Sequence, residues 1–464
     1  MKKDFLRDMF RIALPITIQG LLQAALSLID QIMIGRLGSA SIAGVGLGAK
    51  FISLFTVTMT AIVTVAGILI AQYCGSKQKK GVSDSFFANL YLSLLVAVIF
   101  MVLSLSMPGQ IMGLYSKDTE TVREAVMYLK IMTVGFLPQT ATLMLSALLR
   151  NMDAAKIPMI AGGVSVISNT VLNYLLIFGI GSITTMGVAG AALATAISRI
   201  IEMCIILGMF IKLNKKKCVE LNPIIHFEKD FIAKIMVILA PILCCEFLWS
   251  LGENVYAIIY GRIGTESCAA MTLTYPLQTL AIGALSGVSA AAGVMIGNLL
   301  GKDDKERAYA DSKSFVKVTI VTAVIISALI ALLGSSYVKM FQVSADTRQL
   351  TVYILFAYAL VFPAKVINMV LGGGILRSGG KTKYIMAVDM IGTWVFGVPL
   401  GLFSAYILKV PIHYVYFLLS LEEYVRVLLC AFLFKSKRWM VNMTEKEKQM
   451  EHTDSISQCS TISN

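Results

Sequence analysis

Long apolar runs, each closed by a short polar or glycine-containing break, recur along all 464 residues. A helix crosses about 30 Å of hydrocarbon in about 20 residues. Reading from breaker to breaker, the pattern predicts twelve such helices, near 12–34, 46–73, 86–108, 124–149, 157–180, 187–212, 232–260, 268–299, 314–335, 349–376, 383–408 and 411–434. The first run opens like a signal peptide, with Lys2 and Lys3 ahead of apolar residues. It is longer than such a signal requires, carries Gln19 and Gln23, and leads straight into a repeated unit, so a retained span is expected.

The repeat is the second feature of the pattern. Pro15, Gly35, Arg36, Gly38, Ala43, Ala66, Gly67, Ile70 and Gly75 recur as Pro241, Gly261, Arg262, Gly264, Ala269, Ala292, Gly293, Ile296 and Gly301, every pair 226 residues apart. A constant offset leaves no insertion between the copies. The chain therefore reads as two like halves with the working site at or near their interface. The expected division is a six-helix bundle over residues 1–213, a linker over 214–230, a second bundle over 231–440 and a polar, disordered tail over 441–464.

Composition places this pattern in lipid. Hydrophobic residues make up 57% of the chain and charged residues 14%, with mean hydropathy +0.78, whereas soluble domains are about a quarter charged. The net charge of +13 does not signal nucleic acid, because of where the basic residues fall. With the N-terminus inside, inner segments hold 26 Lys and Arg and outer loops 7. That bias predicts a multi-pass protein of the cytoplasmic membrane with both termini in the cytoplasm. The eight cysteines are scattered, with no CxxC spacing and no nearby histidine, so neither a disulfide framework nor a metal centre is indicated. No nucleophile–base constellation stands out, which argues against an enzyme.

Acids inside spans are costly, and each needs a partner or a purpose. Apart from Glu124 at the first position of the fourth span, seven fall there: Asp30, Glu202, Glu246, Glu253, Asp389, Glu422 and Glu423. Glu202 lies three residues from Arg199, and Glu423 three from Arg426, the spacing of intrahelical pairs. Asp30 has no basic residue within a turn, so it must be protonated, hold a cation or find polar partners on another helix. Glu246 and Glu253 share a face of the seventh span, with Gly252 between them. They read either as a binding pair or as partners of Lys365, deep in the tenth span. Asp389 lies near the inner end of its helix, open to a binding role or to simple hydration. The 25 methionines and the aromatic residues on spans suit packing, and also a pocket for varied organic cations.

Five stretches, IDQIMIGRLG (29–38), AGILIAQYCGSK (66–77), LLRNMDAAKIPMI (148–160), NTVLNYLLIFG with MGVAGAALAT (169–195) and ILRSGGKTK (375–383), resemble in order the multidrug and toxic compound extrusion (MATE) transporters. The resemblance runs from about Phe10 to Trp439. It implies an all-α integral membrane protein, with twelve transmembrane helices in two pseudo-symmetric six-helix bundles around a V-shaped central cavity. It also implies secondary antiport: organic cations, drugs or amphipathic metabolites leave as sodium or protons enter, by alternating access. By the same resemblance Asp30 matches a first-helix aspartate of cation coupling, Asn169 a fifth-span asparagine and Thr195 a sixth-span threonine. Asn173 stands where several relatives carry an aspartate. A seventh-span glutamate of the family aligns near Trp249, between Glu246 and Glu253, and a tenth-span aspartate falls at Val366 or Asn368. The implied partners are a small organic substrate and the bilayer, for a monomer that needs no cofactor beyond its coupling ion, a sodium at Asp30 being one form of it. A flippase for a lipid-linked saccharide is the alternative within the superfamily.

Overall fold

The computed structural model describes residues 3–34, 37, 39–179, 184–214, 221, 229–341 and 343–444. Among these the secondary structure is helical, with no strand. The first half comprises α1 (Lys3–Ile34), α2 (Ser39–Ser76), α3 (Lys79–Ser106), α4 (Pro108–Gly113), α5 (Thr119–Thr133), α6 (Phe136–Asn151), α7 (Lys156–Phe178) and α8 (Gly187–Asn214). The second comprises α9 (Lys229–Ile263), α10 (Thr265–Gly301), α11 (Lys305–Val338), α12 (Ala345–Asn368), α13 (Thr382–Met390), α14 (Val398–Leu402), α15 (Ile412–Ser420) and α16 (Glu422–Ser436). Wide π-helical turns at Met369–Ile375, Ile391–Gly397 and Phe403–Ile407 extend α12, α13 and α14.

Ten helical stretches among the described residues are individually long and apolar enough to cross a membrane. An eleventh is the pair α5 and α6, bent by 50° at their junction. Asp118 caps α5, accepting hydrogen bonds from the amide and hydroxyl of Thr121, which hold its carboxyl below the usual range. The twelfth expected span, 411–434, is split at Leu421 into α15 and α16. Its second half buries three charged residues, Glu422, Glu423 and Arg426.

Two apolar cores occupy the two halves, and the leading helix of each half crosses over. Phe5, Met9, Ile12, Ala13 and Ile16 of α1 pack into the core of the second half. Phe231, Ile235, Ile238, Leu239 and Ile242 of α9 pack into the core of the first. All five pairs are separated by the repeat offset of 226, so the exchange is reciprocal. In lipid such an interface gains little from apolar transfer and depends on close packing. Small residues supply that packing where α1 meets α10, and the Thr17 hydroxyl donates to the Ala284 carbonyl at 3.4 Å.

The C-terminal ends of α2 and α10 also meet, and the chain beyond α16 straps α2 to the start of α9. Gln72 of α2 donates to the carbonyls of Ser378 (2.8 Å) and Val441 (3.1 Å) and accepts from the Met443 amide (2.7 Å). Lys234 donates to the Met443 carbonyl at 2.7 Å. The expected disordered tail thus begins later than its sequence implies: Val441–Thr444 are docked by these bonds, and Thr444 is fully buried. Residues 445–464, and most of the expected linker 214–230, lie outside the described residues.

Candidate functional site

A cavity of about 610 Å³ opens between α1, α6, α7, α8 and the facing side of α10. That volume suits a drug-sized molecule. At one end α1 presents Asp30, whose carboxylate accepts a hydrogen bond from Asn173 Nδ2 at 2.5 Å. The same amide donates to Asn169 Oδ1 at 2.7 Å. Asn169 Nδ2 in turn reaches Thr195 Oγ1 and Ser198 Oγ, each at 3.2 Å. The four-residue spacing of Asn169 and Asn173 stacks them on one face of α7, turned to α1 and α8. Both are buried, and Asn173 Oδ1 has no hydrogen-bond partner among the described residues. The cluster therefore joins one carboxylate to neutral oxygens, the donor set of a hard monovalent cation.

The rest of the cavity wall carries both signs of charge. Arg150, at the end of α6, donates from Nη2 to Gln19 Oε1 at 2.8 Å, while Arg199 of α8 lies against Gly135 at the start of α6, and Glu202 of α8 lines the wall between them. Glu202 is not the private partner of Arg199 that its spacing implies. It lies within electrostatic reach of both arginines and closes no short ion pair with either.

In the second half, Glu246, Asp389, Glu422 and Glu423 join one network, buried around Arg426 and half-buried around Arg377. Arg377 contacts Glu246 at 3.5 Å and Asp389 at 4.0 Å. Arg426, 6% exposed, contacts Asp389 at 3.8 Å, Glu422 at 3.4 Å and Glu423 at 3.9 Å, and donates to the Thr393 hydroxyl. Tyr256 donates to Glu422 at 2.6 Å, and Asn368 to Glu423 at 3.1 Å. Gly397 is required beside this pair: a Cβ there would overlap Tyr256 Oη and Glu422 Oε2. Asp389 thus lies between two guanidiniums while remaining 24% exposed. Glu246 pairs with Arg377 and not with Lys365, which instead faces Glu423, Glu253 and Glu422. Glu253 is exposed and stands outside the closely paired set, so the two seventh-span glutamates have different surroundings.

The match to known proteins falls on the same repeat. The MatE family model matches residues 15–175 and again 241–403. The chain belongs to the MatE family. Its two matched segments begin 226 residues apart, the offset of the internal repeat. Among curated relatives of this family member, the uncharacterized transporter YisQ of Bacillus subtilis is 22% identical over 93% of this chain and 95% of its own length. The probable multidrug resistance protein NorM of Thermotoga maritima is 24% identical over 85% and 84%, and human multidrug and toxin extrusion protein 1 is 26% identical over 86% and 69%. A MATE structure in the straight conformation superposes with TM-score 0.85 at 18% identity, over 93% of this chain and 96% of that one. An outward-facing multidrug resistance MATE transporter gives 0.84, over 93% and 96%. The fold is that of MATE transporters, and the chain is a transporter, not an enzyme.

Sequence reasoning passed over Arg377 and gave Arg426 only its pairing with Glu423. Arg377 sits beside Ser378, Gly379 and Gly380 and reads as a loop residue. The EExxR spacing of Glu422, Glu423 and Arg426 was the available signal, and it gave only a local pair.

Proposed function

We propose that this MatE transporter is a cation-coupled antiporter that exports amphipathic organic compounds, with Asp30 carrying the coupling ion. The observation that supports it is the linked set Asp30, Asn173, Asn169 and Thr195, of which Asp30, Asn169 and Thr195 line a drug-sized cavity. A bare carboxylate at this depth is costly unless a cation or a proton neutralises it. A substrate cation in the cavity and an ion at Asp30 would then compete for the same negative charge, which couples their movements in opposite directions. The neutral oxygens around the single carboxylate favour sodium over a proton, since a proton needs only the carboxylate. Alternating access is the relative movement of the lobes 1–213 and 231–440 in a single chain, with both termini in the cytoplasm.

Efflux of a fluorescent organic cation from proteoliposomes, with sodium and proton gradients imposed separately, tests this. Sodium entry should drive export. Export that no gradient accelerates would end the antiport reading. Residues near Lys339 should be labelled from outside sealed cells, and those near Lys79 or Lys381 should not.

A further inference from the structure

One end of the second half carries a pocket that export of an organic compound does not use. A cavity of about 350 Å³ lies between the start of α13, the end of α16 and the chain just beyond it. The backbone builds it. Lys437, at φ 57°, ends α16 and turns the chain back, and Gly379 receives the Trp439 carbonyl, which any Cβ there would overlap. The buried Trp439 is fixed by its indole N–H, which donates to the Phe434 carbonyl at 3.2 Å, and by stacking on the Phe434 ring. Phe432, Leu433 and Trp439 thus form an apolar wall beneath two cations, Lys381 and Arg438. No acid lines the space, and among the described residues no carboxylate lies within ion-pair distance of either cation. Lys383, Lys435 and Lys437, exposed next to them in sequence, add charge of the same sign. The N-terminus of α13, at Thr382, adds a field that favours an anion. Along α16 the wall continues as apolar surface: Phe432 is 73% exposed and Leu428, one turn earlier, 70%. Trp439 and Tyr384 beside the cations are the aromatic residues expected at headgroup depth.

We propose that this pocket binds an anionic phospholipid of the adjoining leaflet, with its phosphate between Lys381 and Arg438 and one acyl chain along Phe432 and Leu428. A free phosphate would satisfy the cations and leave the apolar wall bare. A zwitterionic lipid would cover the wall but bring its own cation toward Arg438. Only a molecule with a net negative head and a long tail matches both surfaces. Trp439, which closes the pocket, stands shortly before the docked segment Val441–Thr444, so a lipid seated here braces the strap. On the orientation proposed above the leaflet is the cytoplasmic one, where anionic lipids meet basic segments. Binding in detergent does not depend on that orientation.

Intact-protein mass spectrometry of the purified full chain in detergent counts bound lipid directly. Dioleoyl phosphatidylglycerol should fill one position about tenfold more tightly than dioleoyl phosphatidylcholine, which has the same tails. Arg438→Gln and Lys381→Gln should each cut that ratio to about threefold or less. Phe432→Ser should weaken both lipids and leave the ratio. Lys305→Gln, a lysine on another loop, should change neither. Equal affinities of the wild type for the two lipids overturn the proposal, as does a ratio that survives both pocket substitutions. A ratio that falls as far in Lys305→Gln reports general surface charge and overturns it too. Displacement of the phosphatidylglycerol by an equal concentration of inorganic phosphate would make this a free-phosphate site and end the lipid reading. Arg438 is exposed, so its substitution spares the packing; should Lys381→Gln fail to fold, Arg438→Gln decides alone. Failure of wild-type proteoliposomes to export under any gradient would instead count against antiport and leave the lipid ratio standing.

Discussion

Gly75 and Gly301 hold equivalent places in the two repeats, and each lies against the backbone of the other's helix. A Cβ on Gly75 would overlap the Asn298 carbonyl, and one on Gly301 would overlap that of Gln72. Gln72 and Asn298 are themselves 226 residues apart, so a single approximate two-fold relates both contacts. The ends of α2 and α10 come this close only because neither has a side chain at the crossing.

Gly75→Ala and Gly301→Ala should therefore destabilise the contact by similar amounts, about 1–3 kcal/mol for overpacking. Gly67→Ala, on the same helix with open space around it, should be neutral or slightly stabilising. Thermal unfolding in detergent separates the three. Equal midpoints for Gly75→Ala and Gly67→Ala would show that the crossing opens at no cost.

Asp30→Asn keeps the size of the side chain and removes its charge. Gradient-driven efflux should fall to background while the protein still expresses and binds much of its substrate. Asn173→Ala, which removes the donor at 2.5 Å but leaves the carboxylate, should slow efflux without abolishing it. Near wild-type pumping against a gradient by Asp30→Asn would move the coupling site to the second half of the chain.

Arg426→Gln leaves Asp389, Glu422 and Glu423 without their shared counter-charge. Breaking a buried ion network on one side costs about 3–5 kcal/mol, so this variant should unfold at markedly lower temperature. Glu253→Gln, in an exposed position, should leave the unfolding midpoint near that of the wild type and lower efflux of cations more than of neutral compounds. If Glu253→Gln behaves as wild type in efflux too, that glutamate has no part in transport.

Two truncations test the strap. Ending the chain after Thr444 retains the bonds of Gln72 and Lys234 to Val441 and Met443 and should leave thermal stability unchanged. Ending it after Met440 removes them and should lower stability and raise leak of substrate in the absence of a gradient. Identical behaviour of the two would reduce the docked segment to decoration.

The fold was legible because length and apolarity are properties of whole segments, and because the repeat fixes the relation of the halves. Asp30 was legible because a lone carboxylate on an apolar helix has no other explanation nearby. Asn169, Asn173 and Thr195 were found only through resemblance, since neutral polar residues are common at helix contacts in lipid. The second half was harder. The π-helical turn at Met369–Ile375 falls inside the expected span 349–376 and changes its pitch just before Arg377, which meets Glu246 and Asp389. A local reading of periodicity does not anticipate a change of helix pitch. Nor does spacing within one helix reveal that Glu202 is shared with Arg150, which belongs to α6.

The exchange of leading helices sets an order on synthesis. Phe5 through Ile16 find their packing partners around Leu285, some 280 residues later in the chain. At about 5–20 residues per second, that contact waits about 15–55 s after α1 is made. The first turns of α9 meet no such delay, because the core they enter is already complete when they emerge. Until α10 arrives, α1 shows lipid, or a membrane chaperone, the small-residue stripe that it later buries. The early half of the protein is thus finished by the late half, and a ribosome that stalls in the linker leaves behind a bundle whose first helix meets α7 at its far end but has no partner for its first turns.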